Sequence, residues 1–91
     1  MSSYDPDASP VPATWLQTDE GERIELVSAY HRRNNVKLPD AKLHAVIHVV
    51  VENQIALGEE TVIETLARLQ REGLGRHDAL HAIGSVLAEN L

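Results

Sequence analysis

The stretch Asp40-Ala-Lys-Leu-His-Ala-Val-Ile-His-Val-Val-Val-Glu-Asn-Gln-Ile-Ala-Leu-Gly58 decides the fold. Leu43, Val46, Ile47, Val49, Val50, Val51 and Ile55 wrap most of a helical circumference, whereas an ordinary surface helix carries a single apolar stripe. A helix of this kind is buried on several sides. In a chain of 91 residues it is either the central helix of a bundle or part of a dimer seam. Pro39 suits the first turn of this helix and Gly58 its C-terminal cap, so the helix is expected over 40–57.

Upstream, Thr18 followed by Asp19 and Glu20 reads as an N-cap with acids in the first turn. That helix runs to about Asn34, with Ile24, Val27 and Tyr30 or His31 on its inner face, and Gly21 weakens its start. Asn34-Asn35-Val36-Lys37-Leu38 is a connector. Downstream, a helix over Glu59–Glu72 carries Val62, Ile63, Leu66 and Leu69 at helical spacing and stops at Gly73. Thr61 and Glu64 have capping-box spacing, and a cap one or two residues earlier fits equally. A last helix starts after Gly75 and runs almost to Leu91, burying Leu80, Ile83, Val86 and Leu87. Strand-like alternation is absent. The expected fold is all-α, a small bundle of about four helices with short turns.

Residues 1–12 (MSSYDPDASPVP) hold three of the four prolines together with Ser and Asp, and read as a flexible, disordered tail. Residues 13–91 then form a single helical domain. With no Phe and one Trp the core is aliphatic and small, a situation in which a metal or a partner subunit adds needed stability.

Composition excludes several functions. A net charge of −6 argues against nucleic-acid binding, which needs clustered Lys and Arg. Arg32-Arg33 and the spaced Arg68, Arg71 and Arg76 read as solvated helix faces. The chain has no Cys, which removes disulfides, thiolate metal sites and Cys nucleophiles. No apolar run has the length needed to span a bilayer and no signal-peptide core is present, so a cytoplasmic location is the default.

The chemistry lies in the histidines. His44 and His48 are four residues apart, as are His77 and His81, and the first spacing continues to Glu52. Residues four apart share a helix face, so each pair presents two imidazoles in one direction. Five histidines make ten pairs, and random placement gives about 0.2 pairs at this separation against the two observed. If the stripes face each other, His44, His48, His77, His81 and Glu52 form a ligand set for a borderline metal such as Zn, Fe or Ni. His31 is placed to add a fifth nitrogen, and Asp78, Gln54 and Asn53 are candidate acceptors to orient the rings. Gly84, Ser85 and Ala88 below the second pair let a neighbouring helix approach, or leave space for an ion.

A metal-free reading stands beside this one: a hydrogen-bonded histidine cluster inside a helical interaction module, a homodimer built on the apolar second helix. His77-Asp78-Ala79-Leu80-His81 falls short of the zinc-protease H-E-x-x-H pattern, because Asp is shorter than Glu and no third ligand follows. Ser28 and Ser85 sit on no nucleophile pattern, and Gly73-Leu74-Gly75 has no phosphate-loop spacing. No catalytic motif is identified.

Over residues 40–90, the linked motifs His44-x-x-x-His48, with Glu52 and Gln54, and His77-x-x-x-His81 resemble the bacterial proteins grouped as domain of unknown function 1841. The resemblance implies a small helical protein with this histidine register and no assigned activity. His-x-x-x-Glu with His-x-x-x-His is also similar in geometry to the di-iron set of hemerythrin-like bundles, without their final His-x-x-x-x-Asp.

Overall fold

The computed structural model describes residues 1–34 and 40–89, and in these the chain forms five helices and no strand. They are α1 (Pro12–Gln17), α2 (Glu20–Arg33), α3 (Ala41–Ala56), α4 (Glu60–Arg71) and α5 (Arg76–Glu89). The all-α bundle expected from periodicity is present. The expected connector over 35–38, Pro39, and the chain end at 90–91 lie outside the described residues.

The deciding stretch is the central helix. α3 packs against α1, α2, α4 and α5, which accounts for its nearly continuous apolar surface. Asp40 caps it, accepting from the Leu43 backbone N–H at 3.0 Å. Gly58 ends it with φ +81°, donating to the Ile55 carbonyl while Glu59 donates to that of Gln54, so the αL residue satisfies carbonyls that the last turn leaves open.

Capping differs from expectation at α2, and at α4 it takes the earlier position that the sequence allowed. Asp19, not Thr18, caps α2 by accepting from Gly21 N–H, and Glu20 and Glu22 follow in its first turn. Thr18 instead closes α1, its backbone N–H reaching the carbonyls of Thr14 and Trp15. α4 has Glu59 at its N-cap with no side-chain cap bond, so the Thr61/Glu64 capping box does not form.

Two apolar clusters result. Tyr4, Trp15, Val27, Ala45 and Val49 form one under α1, α2 and α3. Val51, Leu66, Ala79 and Leu80 form the other between α3, α4 and α5, with Val62, Leu69, Ile83 and Leu87 packed around them. Ile63 and Val86, expected inside, are 40% and 58% exposed, each on the outer side of its helix. α3 and α5 approach closely at Gly84, where an added Cβ would lie 2.9 Å from Ile47 Cγ2. Val51, 4.0 Å from the same point, lines the other side of this crossing.

The N-terminal segment corrects the sequence reading most. It is not a flexible tail. Tyr4 is 2% exposed and stacks at 5.7 Å on Trp15, which is itself fully buried. Trp15 Nε1 donates to Asn53 Oδ1 on α3, and Arg23 of α2 donates to the same oxygen. Arg76 Nη1 donates to the Pro6 carbonyl, and Asp7 Oδ1 accepts from the His77 backbone N–H at the start of α5. Its Pro- and Asp-rich composition lowers local order, but one large aromatic side chain gains enough burial to fix the segment. Among the described residues, no helix is long and apolar enough to cross a membrane.

Candidate metal centre

α2, α3 and α5 bring all five histidines together. His48 is the hub, with its ring centroid 5.5 Å from that of His31, 5.7 Å from His44, 5.4 Å from His77 and 5.3 Å from His81. Around it the other four close a ring: His31 to His44 at 4.8 Å, His44 to His81 at 4.7 Å, His81 to His77 at 4.3 Å and His77 to His31 at 6.0 Å. The two stripes read from the sequence do face each other. α2 adds His31 because Val27 and His31, four apart, form its buried face.

One ring nitrogen each from His31, His44, His48 and His81 lies within 4.8 Å of the other three. His44 Nε2 and His81 Nε2 are hydrogen-bonded to each other at 3.1 Å, so one of the two carries its proton on Nε2 and must move it to Nδ1 for both to bind an ion. Two nitrogens bound to one tetrahedral ion at 2.0–2.1 Å are about 3.3 Å apart. That pair is already at ligand spacing, and the others, within 4.8 Å, close by at most about 1.5 Å to reach it.

The hydrogen bonds set the tautomers. His31 Nδ1 lies 2.9 Å from the Val27 carbonyl, which only accepts, so Nδ1 carries the proton and Nε2 a lone pair. Tyr4 Oη donates to Glu52 Oε2 at 2.6 Å and therefore accepts from His48 Nδ1 at 3.0 Å. His48 Nε2 is then also a bare lone pair. Both nitrogens are buried without a hydrogen-bond partner, as is Nε2 of His77. Among the described residues only one other buried side-chain atom, Gln54 Oε1, is in this condition. A buried acceptor without a partner costs about 1–3 kcal/mol, and the Nε2 atoms of His31 and His48 both belong to the four-nitrogen group.

Burial disfavours the charged form of His31, His44, His48 and His81. Burial pushes the His48 pKa down to about 2, with the neighbouring His81, His77, His31 and His44 adding to the effect. His81 is lowered to about 4, again by burial and then by His77, His44 and His31, with exposed Asp78 pulling weakly upward. Burial lowers His31 as well, against the hydrogen bond to Val27, and lowers His44, helped by His31 and His77. Neutral imidazole is the form that binds metal.

Glu52 has a different task from the one its register suggests. Its two oxygens accept from Arg76 Nη2 at 2.7 Å and Nη1 at 2.8 Å, and Oε2 also accepts from Tyr4. Arg76, read from the sequence as part of a solvated face, is 7% exposed. Burial works against its charge, but the hydrogen bond and attraction of Glu52 hold its pKa above the ordinary value. Glu52 thus lies outside the four-nitrogen group and orients His48 through Tyr4. His77 also lies outside that group, with its ring against His81.

The ring-orienting acceptors are Tyr4 and the Val27 carbonyl rather than Asp78, Asn53 or Gln54. Asn53 is held at the α1–α2 junction by Trp15 and Arg23, and Asp78 is exposed. No family model, no curated protein and no solved structure matches this chain.

Proposed function

We propose that the protein binds a divalent transition metal, Zn, Fe or Ni, through His31, His44, His48 and His81. The observation that carries this reading is the set of converging imidazole nitrogens in which the hydrogen bonds of His31 and His48 leave buried, unpartnered Nε2 lone pairs. Four neutral nitrogens suit these borderline ions. Tyr4 and the Val27 carbonyl do what oriented acceptors do for metal-bound imidazoles, fixing tautomer and ring plane. The role is structural first: a bound ion ties α2, α3 and α5 together inside an aliphatic core that has few large side chains. His77, half-buried with its ring against His81, stands outside this set.

The test is elemental analysis of untagged protein purified without added metal or chelator, beside the His48→Ala/His81→Ala double variant. Near-stoichiometric metal in the parent protein and none in the variant supports the reading. Metal in neither, with no rise in melting temperature on adding Zn or Ni, leaves an apolar-packed histidine cluster and defeats it.

A further inference from the structure

The histidine cluster is not sealed. A cleft of about 280 Å³ opens between α3 and α5, and His44, His48 and His81 form its inner end. Ile47, Leu80 and Ala88 make its walls, and Gly84, which has no side chain to fill the space, lies between them. His48, 3% exposed, is among the residues that line the cleft. His31, by contrast, does not line it.

Two further facts define what fits there. The first is charge. The four candidate ligands are neutral, and the nearest buried carboxylate, Glu52, is already matched by Arg76 at 2.7 Å. A divalent ion on this set keeps its full double charge in a low-dielectric core, which is costly unless an anion joins it. The second is geometry. The four nitrogens lie within 4.8 Å of one another, and His44, His48 and His81 of this group line the open cleft. An outside ligand can therefore reach an ion on this set from the cleft side.

Resting on the metal reading above, we infer that this cleft binds a small aliphatic monocarboxylate, whose head group coordinates the metal and whose chain lies along Ile47, Leu80 and Ala88. No Lys, Arg, Asp or Glu lines the cleft, and the Ser85 hydroxyl at its edge is used by the His81 carbonyl. A phosphate or dicarboxylate would leave charge unmatched against apolar walls. A single carboxylate on a short chain matches both the charge at the inner end and the apolar walls.

The experiment uses full-length protein reconstituted with Co(II), whose visible absorption reports its ligands. Acetate, butanoate, hexanoate, phosphate and chloride are titrated in turn, with cobalt content measured first. Saturable spectral change by the carboxylates is expected, with affinity rising up to about fourfold per added methylene and phosphate far weaker. Ala88→Trp, an exposed position at the mouth of the cleft, is expected to keep one cobalt per chain and lose the dependence on chain length. Cobalt bound stoichiometrically but with a spectrum indifferent to carboxylates, or responding equally to chloride and phosphate, overturns the cleft inference and leaves the metal site standing. No bound cobalt overturns the metal reading itself.

Discussion

Two buried polar groups lie side by side in this protein, and only one of them is complete. In the Tyr4–Glu52–Arg76 group every carboxylate oxygen is engaged: Arg76 bridges both, and Tyr4 adds a third bond at 2.6 Å. In the histidine group three buried Nε2 atoms have no partner. The first has settled its own charges and needs nothing further. The second leaves the Nε2 lone pairs of His31 and His48 buried and unmatched. A buried polar network that is fully satisfied rigidifies a core, and one that is partly satisfied leaves a desolvation cost uncompensated. The two are joined at one point, the Tyr4–His48 hydrogen bond, through which the complete network sets the tautomer of the incomplete one.

The largest effect is expected from breaking the complete group. Arg76→Ala leaves Glu52 buried and unpaired, and should destabilise the protein by about 3–5 kcal/mol in urea unfolding, with or without metal. Loss that appears only in metal-loaded protein would show that the pair serves the site rather than the fold. His81→Leu alters the incomplete group instead. It should fold, and should lose the stabilisation that metal confers, about 2.7 kcal/mol at a hundredfold excess over the dissociation constant. An undiminished metal-induced shift in this variant would remove His81 from the ligand set.

Tyr4→Phe cuts the link between the groups. It keeps the ring packed against Trp15 and deletes the acceptor for His48 Nδ1, so metal affinity should fall about 10–100-fold in competition with a chromophoric chelator. Unchanged affinity would mean that His48 is oriented by packing alone.

The pH dependence of the metal-free protein follows from the depressed histidines. His48 and His81 have folded pKa values of about 2 and about 4 against 6.5 for the free side chain. Between those limits the unfolded chain binds protons that the folded chain does not. Stability is therefore full above about pH 6.5 and falls as the pH drops, by up to ~1.4 kcal/mol per unit for the buried His48. Flat stability from pH 7 to 5 would contradict the burial of these rings. The smallest effect is expected at Val50, 38% exposed on the outer side of α3, where Val50→Glu should change stability by about 0.5 kcal/mol or less. A large loss there would reveal a partner on that face.

Helix content and histidine register were legible because both are local. The all-round apolar pattern of 40–58 identified the central helix, and the i,i+4 spacings placed each histidine pair on one face. His31 was visible as a further nitrogen because it continues the inner face marked by Val27. The partners of Glu52 were not legible. Tyr4 and Arg76 lie 48 and 24 residues away, with no spacing to connect them, and each sits in a segment whose local composition points to solvent. Glu52 shares the register of His44 and His48, and register alone cannot tell a metal ligand from the acceptor that positions one. A tyrosine in an otherwise Pro-, Asp- and Ser-rich leader was the one available signal that this segment docks.

The most direct test of the central claim is X-ray absorption at the metal edge of protein reconstituted with one equivalent of Zn or Ni. The account predicts a first shell of nitrogen or oxygen ligands at about 2.0–2.1 Å with the outer-shell scattering of three or four imidazoles, reduced by one in His31→Ala. A shell with one imidazole or none, unchanged in that variant, would place the metal on the surface and contradict the site.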